Sequence, residues 1–136
     1  MKLNYAYTRL NVQDYRACKQ FYQDVLGFTV CYANDSEEYA ELETGETKIT
    51  LLNRARLKEY IGSVTTATYD PYAAKVVLTF TVANLDEVVG QLKAKGVELV
   101  SNPWQRPEDE LMQGGFLTAC FRDPDGNLIE FEQILS

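Results

Sequence analysis

Histidine is absent from this sequence. That absence removes the commonest general base and the commonest transition-metal ligand, and with them Ser-His-Asp and Cys-His nucleophilic catalysis. Cysteine is scarce and odd in number: Cys18, Cys31 and Cys120 are the whole set. Their spacing fits neither a metal knuckle nor a CxxC redox motif, so free thiols in a reducing compartment are expected. No apolar run is long enough to cross a bilayer, and the start, MKLNYAYTRL, has no apolar stretch of the secretory kind. Basic runs are missing too. Lys and Arg number 13 against 20 Asp and Glu, a formal charge of -7, the reverse of the balance that phosphate binding asks for. A cytoplasmic protein with no nucleic-acid and no membrane partner is expected.

What is present suits one domain over 1–136: a chain of 136 residues with a 46% hydrophobic fraction. The chain also repeats itself. Residues 10–30 read LNVQDYRACKQFYQDVLGFTV and residues 80–100 read FTVANLDEVVGQLKAKGVELV. Each stretch leaves a strand, enters a helix, stops at a glycine and starts a new strand. Asp14 and Asn84 stand where helix N-caps belong, with Glu87 completing a capping-box pattern after Asn84. Gly27 and Gly96 stand where a left-handed residue closes a helix. Cys18, Phe21, Tyr22 and Val25 make one apolar stripe, and Leu85, Val88, Val89 and Leu92 the other; both are core. Strand-like runs follow at about 27–33, 38–43 and 46–53, with TGET at 44–47 as a hairpin turn. In the second half they fall at about 96–101, 116–122 and 127–134, with DPDGN at 123–127 as the turn. The fold class is therefore α+β, with βαβββ modules over 1–53 and 74–136 joined by a linker, 54–73, in which RARLKEYIG suits a short helix. Two such modules can join their sheets into one curved, mostly antiparallel cup with the helices outside.

With QFYQDVLGF at 20–28 and FRDPDGNLIEF at 121–131, the chain resembles the vicinal oxygen chelate superfamily, the group of glyoxalase I, extradiol dioxygenases, fosfomycin-resistance transferases and bleomycin-binding proteins. The resemblance covers nearly the whole chain. It implies a homodimer and a cup that holds a small organic molecule. In the family's metal enzymes, ligands come from the first and last strands of each module. Carried over, those positions are Tyr7, near Thr50, Val77 and Glu130. One carboxylate beside a valine is a poor donor set for zinc, nickel, iron or manganese. No metal and no cofactor are expected.

Side chains alternate along strands, so Tyr5, Tyr7, Arg9 and Asn11 are expected to face the cup, with Ala6, Thr8, Leu10 and Val12 turned to the helices. By the same rule Val77, Thr79 and Thr81 face the cup in the second half, as do Leu128, Glu130 and Glu132. Aromatic walls with a few placed polar groups suit a small organic ligand. Glu130 needs a counter-charge or hydrogen bonds, and Arg9 is the candidate partner. The 101–115 segment, SNPWQRPEDELMQGG, reads as a long loop whose Trp104 could stack on a planar ligand or cover the core or a subunit seam. Nine tyrosines, Tyr32 and Tyr39 among the strand ones, suit binding or a subunit interface. The expected ligand-binding set is Tyr5, Tyr7, Arg9, Asn11, Thr50, Val77, Thr79, Trp104, Leu128 and Glu130. The alternative to a metal-free binding protein is an enzyme of lyase, isomerase or dioxygenase type. It would work through a metal or through Glu130 as acid or base.

Overall fold

Asp14 begins the first helix as its composition requires: its carboxylate accepts the Ala17 N–H at 3.0 Å. Asn84 does the same in the second half, where its side-chain oxygen accepts the Glu87 N–H at 3.1 Å. Gly27 and Gly96 close the two helices with φ of 78° and 83°, a region that costs a side chain dearly and glycine nothing. A computed structural model of the chain describes residues 1–2, 4–56, 76–100, 103–106 and 115–135, with the backbone alone for 104–106. The linker reading for 57–73 and the loop reading for 107–114 lie outside the described residues.

The chain divides into two compact units, Met1–Tyr69 and Asp70–Ser136. The first holds β1 (Tyr7–Val12), α1 (Tyr15–Gln20), β2 (Thr29–Asn34), β3 (Tyr39–Glu43) and β4 (Lys48–Asn53), followed by a 3-10 turn, Arg54–Arg56. The second holds β5 (Val77–Thr81), α2 (Leu85–Ala94), β6 (Trp104–Arg106), β7 (Phe116–Arg122) and β8 (Leu128–Ile134). Strand orders are β1-β4-β3-β2 and β5-β8-β7-β6, so each unit is a βαβββ module. In each, the first and last strands are parallel neighbours and the other pairs are antiparallel. The parallel pair follows from the helical crossover, and the β2–β3, β3–β4 and β7–β8 antiparallel pairs from short turns. In the TGET turn, the Thr44 hydroxyl donates to the Thr47 carbonyl at 2.8 Å. In the DPDGN turn, Asp123 accepts the N–H groups of Asp125 and Asn127, each at 2.9 Å.

One face of each sheet packs on its helix. In the first unit Val12, Ala40, Leu42, Ile49 and Leu51 are buried together with Tyr15, Cys18 and Tyr22 of the helical segment. In the second, Leu85 and Val89 of α2 form a core with Ala119 of β7, onto which Val88, Leu117 and Phe131 pack. Phe131 meets Phe121 edge-on at 4.9 Å and Phe80 at 6.1 Å. Burying a side chain such as Phe121 or Ile129 contributes about 1.5–3 kcal/mol.

Three local expectations change. The first helix does not run on as one α-helix: Phe21–Val25 is a π-helical turn, and the Leu26 N–H reaches back to the Phe21 carbonyl at 3.1 Å. The strand expected at about 96–101 reduces to a bridge between Leu99 and Phe121, supported by the Val100 N–H on the Cys120 carbonyl at 2.8 Å. Leu99 lies opposite Phe121, one residue from the end of β7, so before it only Glu98 has a β7 residue opposite. The pairing resumes as β6, where Trp104 faces Thr118, with the register shifted. Part of the expected loop at 101–115 is thus an edge strand.

Candidate ligand-binding site

The other face of the first sheet is polar, and the ladder shows how it is assembled. Arg9, Thr50 and Glu41 are successive partners across β1, β4 and β3, and Tyr32 follows on β2. Tyr7, Lys48 and Glu43 form the row on one side; Asn11, Leu52, Tyr39 and Asn34 form the row on the other. Arg9 donates from Nη2 to the Tyr7 hydroxyl at 3.0 Å, and its guanidinium carbon lies 5.7 Å from the centre of the Tyr7 ring. Tyr39 donates to Glu41 Oε2 at 2.7 Å, and Lys48 donates to Glu41 Oε1 at 3.3 Å. These contacts set the ionisation of the face. The Tyr39 hydrogen bond, with Lys48 adding to it, holds the Glu41 carboxyl below its ordinary range. Burial first, and then Glu41, push the Tyr39 phenol above its ordinary range, so it stays neutral and donates.

A pocket of about 260 Å³ opens on this face, lined by Arg9, Tyr32, Asn34, Glu37, Tyr39, Leu52 and Arg56. Leu52 is buried and half-exposed Tyr32 meets Tyr39 with ring centres 6.0 Å apart, tilted by 55°. Arg56 is ion-paired with Glu37 and donates to its carbonyl at 2.9 Å. Beside the pocket, Thr50 is fully buried, and its hydroxyl has no hydrogen-bond partner among the described residues. The same holds for Asn11 Oδ1.

The polar face of the second sheet is built by the same register. Val77 pairs with Leu128, and Thr79 with Glu130, as Tyr7 pairs with Lys48 and Arg9 with Thr50. Thr50 therefore occupies in the first sheet the place that Glu130 occupies in the second. Glu130 is half-buried, and both carboxylate oxygens are engaged: Oε1 accepts the Thr79 hydroxyl at 3.2 Å and Oε2 the Thr118 hydroxyl at 2.9 Å. Cys120 stands directly opposite Glu130 on β7. Burial and then the Glu130 charge push its thiol up, which keeps it protonated and a weak nucleophile.

Of the residues expected at the site, Tyr7, Arg9, Asn11 and Thr50 share one face of the first sheet, and Val77, Thr79, Leu128 and Glu130 share one face of the second. Only Arg9 among them lines the pocket. Tyr5 precedes β1, is exposed, and hydrogen-bonds to the hydroxyl of Thr8, whose place in the strand is on the opposite face. Trp104 lies on β6, and its side chain is outside the described residues. The expected partnership of Arg9 with Glu130 would join the two units; within its own unit each has the hydroxyl contacts given above. Tyr32, Asn34, Glu37, Tyr39, Leu52 and Arg56 escaped the sequence reading as pocket residues. The alternation of YAELE puts Tyr39 on the face of Thr50, a signal that was there to use. Tyr32 follows an irregularity between Val30 and Tyr32 that breaks a period of two.

Comparison with known proteins agrees with this fold. Residues 4–131 match the Glyoxalase/Bleomycin resistance protein/Dioxygenase superfamily, and the chain belongs to it. Its sequence is similar to that of the uncharacterized protein YraH of Bacillus subtilis, at 35% identity over 93% of this chain and 95% of the other. The virulence protein STM3117 of Salmonella typhimurium is 30% identical over 91% of this chain and 79% of its own. The crystal structure of STM3117 superposes with a TM-score of 0.71 over 99% of both chains. A glyoxalase/bleomycin resistance protein/dioxygenase from Nocardioides has the same fold at 21% identity, with a TM-score of 0.76 over 100% of this chain and 87% of the other.

The family's metal enzymes hold an ion with first- and last-strand residues. The corresponding places here are Tyr7 and Thr50 in the first unit and Val77 and Glu130 in the second. Valine has no donor atom, the Thr50 hydroxyl is sealed from solvent, and the two oxygens of Glu130 are engaged by threonine hydroxyls. Among the described residues, no three of His, Cys, Asp and Glu gather as a metal would need. This donor set does not fit a family-type metal site.

Proposed function

We propose that the protein binds a small organic molecule on the polar sheet face without a metal, after the manner of the family's sequestering members. The observation that carries this reading is the pocket of about 260 Å³ over Leu52, with two tyrosines for walls and few but well-placed polar groups. It is slightly smaller than the usual range for drug-sized ligands, about 300–1,000 Å³, and suits a compact molecule. In this reading Glu130 is an acceptor steadied by Thr79 and Thr118, and not a general base. The two βαβββ modules act as one domain through the linker at 54–73, and the working form is a cytoplasmic homodimer.

The test is a thermal-shift screen of small organic molecules on chelator-treated protein, followed by calorimetric titration with Zn²⁺, Ni²⁺, Mn²⁺ and Fe²⁺. The expected result is ligands that bind equally well with and without metal. Tight metal binding that disappears in Glu130→Gln, together with organic binding or turnover only in its presence, would overturn the reading in favour of a metalloenzyme. Turnover without metal that Glu130→Gln abolishes would make Glu130 the acid or base instead.

A further inference from the structure

The groups that line the first-unit pocket differ in what they can offer a ligand, and hydrogen-bond donors outnumber acceptors. The lining holds two guanidinium groups, Arg9 and Arg56, and one carboxylate, Glu37. Glu37 is held by Arg56 through an ion pair and through its carbonyl. Asn34 accepts the Ser36 hydroxyl at 2.7 Å and the Glu37 N–H at 3.3 Å on its side-chain oxygen, so what its amide has left to give is the NH₂ group. The Tyr39 proton goes to Glu41, and the Tyr7 oxygen receives Arg9. Glu37 and Glu41, the acids in and beside the pocket, each accept from neighbours of this chain, and Arg9 and Arg56 likewise donate to Tyr7 and Glu37; the lining carries two guanidinium groups and one amide NH₂ against one carboxylate. The Arg9 guanidinium carbon lies 5.7 Å from the centre of the Tyr7 ring, to whose hydroxyl the guanidinium also donates. Arg9 and Tyr39 line the same pocket, and the Arg9 charge offsets part of the rise in the Tyr39 pKa.

We propose that this pocket takes a small organic anion, a carboxylate carried on a planar ring, and this inference rests on the binding reading above. The carboxylate lies against Arg9 and Asn34, and the ring lies against Tyr32 and Tyr39 over Leu52. A guanidinium fork matches the two oxygens of a carboxylate and binds it more strongly than a neutral acceptor. Tilted tyrosines suit an aromatic ring, which favours edge-on and offset contacts. A cationic ligand would instead meet two guanidinium groups against one carboxylate, Glu37, which is already paired with Arg56.

The full-length, chelator-treated protein is titrated by calorimetry with three probes of one shape: 4-methylbenzoate, 4-methylbenzamide and 4-methylbenzylammonium. The anion is expected to bind, and the amide to bind at least about tenfold more weakly. Arg9→Met is expected to cost the anion about tenfold or more, and Arg9→Lys less, because lysine keeps the charge and loses the fork. Tyr32→Ala, at an exposed ring, is expected to weaken all three probes without changing the unfolding midpoint. Amide or ammonium binding as tight as that of the anion would overturn the anionic class and leave the binding reading standing. Anion binding that persists in both Arg9→Met and Arg56→Met would overturn the assignment of the site. Failure of all three probes, alone and with added Zn²⁺ or Mn²⁺, would overturn the ring-carboxylate class and leave the binding reading to the thermal-shift screen. The comparison of probes on the unmodified protein decides the class even if Arg9→Met does not fold.

Discussion

The two sheets share strand order and register, yet their polar faces differ in chemistry. Where the first sheet places Arg9 beside Thr50, the second places Thr79 beside Glu130. The first face has a hydroxyl sealed from solvent and without a partner among the described residues, beside a pocket rich in N–H donors. The second has a carboxylate satisfied by two hydroxyls. The helix-side faces diverge far less: both are apolar, and both helices start on an Asp or Asn cap. A repeated module keeps what folds it and changes what faces a ligand, because core positions are constrained by packing and polar positions only by what they must bind.

Four perturbations sharpen this contrast. The largest effect is expected on the helix side. Tyr22→Ala in the first unit and Phe121→Ala in the second should each lower stability by about 3–5 kcal/mol in urea unfolding, since both rings are fully buried. A cost near zero in one unit alone would show that its core is not the mirror of the other. Next come the two threonines. Thr118→Val should cost about 1.5–3 kcal/mol, because it removes a hydroxyl that donates to a carboxylate. Thr50→Val removes a buried hydroxyl with no partner among the described residues, so stability should hold or rise by about 1 kcal/mol. Equal costs for the two substitutions would erase the distinction drawn between the faces. Smaller again, Asp14→Ala and Asn84→Ala should each cost about 1 kcal/mol, and by similar amounts.

The smallest effect concerns pH. Glu41 has its carboxyl held below the ordinary value of 4.5, chiefly by Tyr39. A folded-state pKa below the unfolded one means the contribution is fully present above that ordinary value. It is lost as the pH falls from there through the folded value. Acid titration of unfolding should show this loss, and Glu41→Gln should flatten it. An unchanged acid profile in the variant would remove Glu41 from the account.

Much of the fold was legible in the sequence. The caps at Asp14 and Asn84, the glycines at Gly27 and Gly96, and the two turns are local signals whose physics acts within a few residues. The alternation on β1, β5 and β8 is local too, and it placed Tyr7, Arg9, Thr79 and Glu130 on their faces. What escaped depends on partners. Leu99 reads as strand but lies opposite Phe121, one residue from the end of β7, and only the fold reveals where β7 ends. Tyr32 comes to the pocket through an irregular pairing on β2, and Arg56 through the 3-10 turn that follows β4. Tyr5 reads as strand by continuation, yet β1 begins at Tyr7.

The account's central claim is that the first polar face, and not the carboxylate of the second, receives the ligand, and that it does so without a metal. Amide chemical-shift mapping of the chelator-treated protein with 4-methylbenzoate tests it most directly. Shifts concentrated at Arg9, Tyr32, Asn34, Tyr39 and Arg56 are the predicted result. Shifts concentrated at Thr79, Thr118 and Glu130, or appearing only after Zn²⁺ or Mn²⁺ is added, would contradict it.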